Sequence, residues 1–186
     1  MKTKFILAIC FLIASLFGMQ LQAQTSKKKI LVAYFSHSGN TRAVAYDICK
    51  KVNGESFEIQ TVKPYSSDYN TVVDQAKKEQ KTDFRPTLKS RLKSIKQYDV
   101  IFIGYPNWWG TYPQAVKVFL SQYDFSGKTI IPFCTHEGSG LGSSVADLKK
   151  ICPKSHLMKG LAIRGSSARN SASQVDEWIK ELKITK

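Results

Sequence analysis

Two stretches of the chain are apolar at every position, Ile30 to Phe35 and Val100 to Gly104. A strand with one wet face alternates apolar and polar residues. A run with no polar residue at either parity is a strand covered on both faces, as in the middle of a parallel sheet. Parallel neighbours need a long crossover between them, which is most often a helix. Helical spacing follows the first run in Val44, Ala45, Ile48 and Val52, closed by Asn53-Gly54. It recurs in Tyr69, Val72, Val73 and Ala76, with Ser67 or Asp68 as cap, and after the second run in Val116, Phe119, Leu120 and Tyr123, with Pro113 near the first turn. Two more stripes are Val145, Leu148, Cys152 and Val175, Trp178, Ile179, Leu182.

The remaining strands are weaker. Residues 56–61 alternate, with Phe57 and Ile59 against Glu58 and Gln60, which reads as an edge strand. Lys128 to Cys134 supplies a fourth strand, although Pro132 cannot donate to a ladder. Leu157 to Arg164 supplies a second edge. Residues 82–97 read as a loop with a helical turn over Leu88 to Ile95. This alternation predicts an α/β protein: a three-layer sandwich around a five-stranded parallel sheet of order 2-1-3-4-5.

At 186 residues the chain suits one domain. Lys2 and Lys4 precede an apolar run from Phe5 to Phe17, and Ala23 stands where a small residue is needed for cleavage. This reads as a secretory signal over residues 1–23, leaving a single domain over 24–186, exported to the periplasm of a Gram-negative bacterium. The alternative is an uncleaved N-terminal anchor, which would be the protein's one tie to a membrane. The formal charge is +14, and removing residues 1–23 takes away two lysines and no acid. The lysines are scattered, with no long basic run and no nucleic-acid motif, so no specific nucleic-acid partner is expected. Cys49, Cys134 and Cys152 remain, an odd number with no C-x-x-C, and burial is the default reading for each.

In a parallel sheet every loop leaving the C-terminal end of a strand lies on one edge, and ligands bind there at the point where strand order reverses. Three such loops carry unusual chemistry. Ser36, His37, Ser38, Gly39, Asn40 and Thr41 join the first strand to its helix, with hydroxyls, an amide and backbone N–H groups but no lysine. Such a turn can cradle a phosphate monoester, or can simply cap the helix. Pro106, Asn107, Trp108, Trp109, Gly110 and Thr111 place two indoles side by side. Exposed indoles at a loop tip suit a flat ligand, whereas a core role for both is the other reading; one of each is expected. Thr135, His136, Glu137, Gly138, Ser139 and Gly140 offer small residues whose N–H groups can approach a ring closely. A catalytic His136–Glu137 pair is conceivable, but adjacent side chains point apart. His37 and His156 show no metal-ligand spacing, and no metal is expected.

A phosphate beside a flat polar ring describes flavin mononucleotide (FMN). The turn Ser36-His37-Ser38-Gly39-Asn40-Thr41 resembles the phosphate loop of flavodoxins, and the stretches Gly104 to Gly110 and Pro132 to Gly140 resemble a bacterial branch of flavodoxin-like proteins. The resemblance spans about residues 29–184. It implies a flavodoxin-like fold, with the FMN phosphate at Ser36 to Thr41 and the ring between the 106–111 and 135–140 loops. The chain departs from electron-carrier flavodoxins in being basic and in carrying the export signal read over residues 1–23, which bears on the role rather than on FMN. Two redox roles follow: one-electron transfer with a partner protein, or NAD(P)H-linked reduction of quinone-like acceptors. The reading from a different class is a non-redox binding module that keeps the fold.

Overall fold

The computed structural model describes residues 28–184. The expected signal segment, residues 1–23, lies outside the described residues. Strands β1 (Ile30–Tyr34), β2 (Glu55–Glu58), β3 (Val100–Pro106) and β4 (Thr129–His136) are followed by two short pieces, β5 (His156–Leu157) and β6 (Leu161–Arg164). They alternate with helices α1 (Asn40–Val52), α2 (Tyr69–Thr82), α3 (Gln114–Ser121), α4 (Ser144–Ile151) and α5 (Ala172–Leu182), and a 3₁₀ turn (Gly165–Asn170) precedes α5. Among the described residues the named strands all pair in parallel, in the order β2-β1-β3-β4-β5, with β6 also on β4. The predicted strand order and layering are therefore observed.

The two apolar runs are buried because helices cover both faces. Ile30, Val32 and Tyr34 point into one core with Val44, Ala45 and Ile48 of α1 and Val175, Trp178 and Ile179 of α5. Leu31, Ala33 and Phe35 point the other way, toward Ala115, Val116 and Phe119 of α3 and Leu148 of α4. Each fully buried large apolar side chain contributes about 1.5–3 kcal/mol over its exposed state. Asn53 closes α1 in the left-handed region, and the Asp68 carboxylate caps α2 by accepting from the Thr71 N–H at 2.8 Å.

Three local expectations give way. The fifth strand is broken at residues 158–160, and Pro132 supplies the reason. Lys128 O accepts from His156 N–H (2.8 Å) and Ile130 O from Met158 N–H (3.0 Å), so alternate residues of β4 face β5. Pro132 falls on that same side, opposite the break, and its missing N–H takes no bond from the β3 ladder. The helical turn expected over Leu88 to Ile95 is not formed. Instead Leu88 pairs with Thr61 in an isolated antiparallel bridge, and Val62 N–H donates to Thr87 O at 2.9 Å. This segment covers the backbone edge next to β2, which a helix would have left open. Third, the stripe on α2 is split: Val72 and Ala76 are buried, while Tyr69 is 76% exposed and Val73 turns toward a cavity. Among the described residues no helix is long and apolar enough to cross a membrane.

Candidate functional site

The C-terminal ends of β1, β3 and β4 open on one cavity of about 730 Å³, within the usual range for small-molecule sites. Of the first loop it takes His37, Ser38 and Asn40; of the second, Pro106 through Trp109; of the third, Thr135 through Ser139. Of the residues singled out in the sequence, Ser36, Gly39, Thr41, Gly110, Thr111 and Gly140 belong to the same turns but do not line it.

The first turn is built to hold an anion. Gly39 sits at the helix start with φ 89°, and α1 carries no acid in its first turn. The Arg42 N–H donates to Ser36 Oγ (3.2 Å), and Ala43 is the first amide on the helix ladder, donating to Gly39 O (3.0 Å). Among the described residues the amides of His37 through Thr41 have no acceptor. Free N–H groups at the positive end of a helix dipole suit a phosphate. The Thr41 hydroxyl is turned inward to Thr135 Oγ1 (2.9 Å), beneath the loop rather than into it. Arg42 is held by Glu58 of β2 at 2.5 Å, which raises its pKa further.

The two tryptophans divide. Trp108 is half-buried, edge-on to Phe35, His37 and Tyr65 at 5.6, 5.7 and 5.1 Å. Tyr65 is itself anchored by donating to the buried Glu79 carboxylate (2.7 Å). Trp109 is 49% exposed. It occupies a two-residue turn closed by Trp108 and Thr111, with positive φ at Trp109 (53°) and Gly110 (85°). Left-handed backbone costs a non-glycine residue about 1–2 kcal/mol. Two contacts offset this strain: Trp109 Nε1–H donates to Val73 O (3.0 Å), and Lys77 Nζ lies 4.8 Å from the indole centre. A strained aromatic at a cavity mouth points to a role in binding.

The second and third loops are tied into one unit. Asn107 Nδ2–H donates to Gly140 O (2.7 Å), and Ser143 N–H to Gly110 O (2.7 Å). Thr111 Oγ1–H and Ser143 Oγ–H both donate to Asp147 Oδ2, each at 2.9 Å. Burial opposes ionisation of Asp147, but hydrogen bonds from Ser143 and Thr111, with Lys150 nearby, hold its pKa below the usual carboxylate value. The buried Tyr105 hydroxyl donates to Ser144 Oγ (2.7 Å); burial pushes its pKa well up, so it is a neutral donor. Asn107 Oδ1 is buried without a partner among the described residues. In the third loop the Gly138 N–H donates to His136 Nδ1 (2.9 Å) and Arg164 Nη2–H to Glu137 O (3.1 Å). His136 and Glu137 therefore do not form a pair. Among the described residues Glu137 is the one acid lining the cavity, and its carboxylate lies against Gly165, where a Cβ would also come within 2.9 Å of Asn40 Nδ2.

A sequence profile of the flavodoxin family matches residues 29–182. The chain belongs to the flavodoxin family. It is similar to a Bacteroides uniformis protein assigned as a flavoprotein, with 34% identity over 83% of this chain and 99% of that one and a TM-score of 0.74. A Bacteroides eggerthii counterpart is 34% identical over 82% and 96%, with a TM-score of 0.73. A flavoprotein from Lactobacillus acidophilus, solved in complex with FMN, is 24% identical over 78% and 99%, with a TM-score of 0.63. No curated protein matches the chain. The parallel sheet order brings the turn at 36–41, the indole loop and the glycine-serine loop to one edge. Sequence reasoning missed the α2 wall, Ser67, Tyr69, Val72, Val73 and Ala76. An apolar stripe carries no mark that separates core from cavity. It also missed Asp147 as the tether between loops, because a lone acid in a helix has no local signature.

Proposed function

We propose that this chain binds FMN and works as a redox flavoprotein, passing electrons to a protein partner or carrying them from NAD(P)H to quinone-like acceptors. The observation that carries the reading is the meeting, in one cavity, of an anion-accepting helix start, a strained half-exposed indole and a glycine-rich loop. The residues fit the group: free amides at His37 through Thr41 for the phosphate, Trp108 and Trp109 for a flat ring, and the loop from Thr135 to Gly140 for its polar edge. FMN in the Lactobacillus acidophilus flavoprotein supports the same assignment. When bound, the flavin supplies the electron-transfer chemistry; the protein sets its environment and access. Ser38, Asn40 and the turn amides hold the phosphate end. Trp109 and Tyr69 restrict water at the mouth. With Glu137 the sole acid lining the cavity among the described residues, the wall would set little negative charge against a reduced flavin, which would be a weaker reductant than in an acid-lined site. Export with loss of residues 1–23 is part of the proposal, resting on the charged start and short apolar run.

The absorption spectrum of the purified protein, before and after incubation with FMN, tests the reading. A yellow protein, or one that becomes yellow and retains FMN through desalting, supports it. A colourless protein that takes up none favours the non-redox binding module. Anaerobic mixing with NADH and NADPH separates the two redox roles: prompt bleaching marks the reductase. N-terminal sequencing of the exported protein is expected to begin just after Ala23.

A further inference from the structure

Among the described residues four titratable side chains line the cavity: His37, Tyr69, His136 and Glu137. Two of them, His37 and His136, have a ring nitrogen in a hydrogen bond among the described residues. His37 Nε2–H donates to Ser66 O at 2.7 Å, and a carbonyl can only accept, so that proton is committed. Glu137 lies against Gly165. Tyr69 is 76% exposed, at the mouth. His136 differs. It ends β4 in register with Arg164 of β6, is half-buried, and accepts the Gly138 N–H at Nδ1, 2.9 Å away. An Nδ1 that accepts cannot carry a proton, so the neutral ring carries its proton on Nε2. Among the described residues nothing engages Nε2. The loop thus fixes the tautomer of one imidazole and leaves its remaining N–H free at the cavity wall.

We propose that His136 is the cavity's neutral hydrogen-bond donor, its Nε2–H donating to a ring carbonyl oxygen that gains negative charge on reduction. The Gly138 N–H holds Nδ1 as the acceptor, which leaves Nε2–H as the ring's donor. A preorganised neutral donor aimed at developing charge lowers the energy of the reduced state without proton transfer. Arg164 is in register with His136 and is occupied by Glu137 O, Glu137 adjoins His136 in the chain, and His37 lines the same cavity. The oxygen belongs either to the flavin ring or to a quinone-like acceptor lying against it. The inference rests on the FMN reading.

Nitrogen NMR of the protein without flavin, in slightly alkaline buffer, reads the tautomer directly: the His136 ring is expected as Nε2–H, and a dominant Nδ1–H form overturns the proposal. His136→Phe removes the donor, and His136→Gln keeps an N–H near the Nε2 position. If the oxygen is the flavin's, His136→Phe weakens reduced FMN about tenfold more than oxidised FMN, and His136→Gln restores most of the difference. If it is the acceptor's, the FMN affinities stay level, and quinone reduction falls about tenfold while ferricyanide reduction does not. A His136→Phe protein that binds FMN, is folded by circular dichroism and matches wild type in both arms overturns the donor role. Wild-type protein that takes up no FMN overturns the proposed function and this donation together. The separate outcomes distinguish the two failures.

Discussion

Replacing Gly142 by alanine tests whether the second and third loops form one unit. Gly142 has φ 55°, and a Cβ there would fall 2.9 Å from the Gly110 carbonyl carbon and 3.1 Å from Asn107 Nδ2, with the Gly110 oxygen nearer still. Gly140 is the natural control, since it has φ 58° but nothing within 4 Å of an added Cβ. Both alanines carry the left-handed cost, about 1 kcal/mol. Only Gly142→Ala must also push the Trp109–Gly110 turn away. That displacement breaks the Ser143 N–H to Gly110 O bond and the Asn107 to Gly140 bond, both 2.7 Å long. At about 1 kcal/mol each, the total for Gly142→Ala is about 3 kcal/mol. For a domain of this size it corresponds to a Tm lower by about 6–12 °C, against about 2–4 °C for Gly140→Ala. Thermal unfolding by circular dichroism gives the comparison. FMN affinity is expected to fall with it, because Trp109 moves with Gly110. If the two variants unfold within about 0.5 kcal/mol of each other, the loops are not coupled through this contact, and the reasoning fails.

Other consequences can be checked independently. Thr41→Val leaves the buried Thr135 hydroxyl without its 2.9 Å partner and should cost about 1–3 kcal/mol in urea unfolding, whereas Thr41→Val with Thr135→Val should cost less than the two single changes together. Asp147 has a depressed carboxyl pKa when folded. Its stabilisation is therefore present above the unfolded value of about 3.9 and is lost as pH falls toward the folded one, so the gap between wild type and Asp147→Asn should close in acid titrations of stability. Burial pushes the Cys134 and Cys152 thiols up to about 12 and about 11, and all three cysteines among the described residues are free. Thiol reagents should label Cys134 and Cys152 only on unfolding; rapid labelling in native buffer would contradict the packing.

Much of this protein is legible in the order of its residues. Ile30 to Phe35 and Val100 to Gly104 have no polar residue at either parity, and only a strand with helices on both faces removes all that surface from water. Their order, with the edge character of 56–61, places the loops after β1 and β3 side by side, so the phosphate turn and the indole loop had to meet. What local pattern could not decide depends on contacts between residues far apart. Tyr69, Val72, Val73 and Ala76 share a stripe, and only the lie of α2 across the sheet edge sets all four against the cavity, with Val72 and Ala76 buried and Tyr69 exposed. Trp108 and Trp109 are adjacent and chemically identical; the turn they share sets one against Phe35 and Tyr65 and the other half in water. Thr41 read as a phosphate hydroxyl, but Thr135, ninety-four positions away, claims that hydroxyl. Residue type and spacing determined the fold, the edge and the chemistry gathered there. Which atoms remain free for a ligand was decided by tertiary hydrogen bonds, because a buried donor or acceptor takes whatever partner the fold brings within about 3 Å.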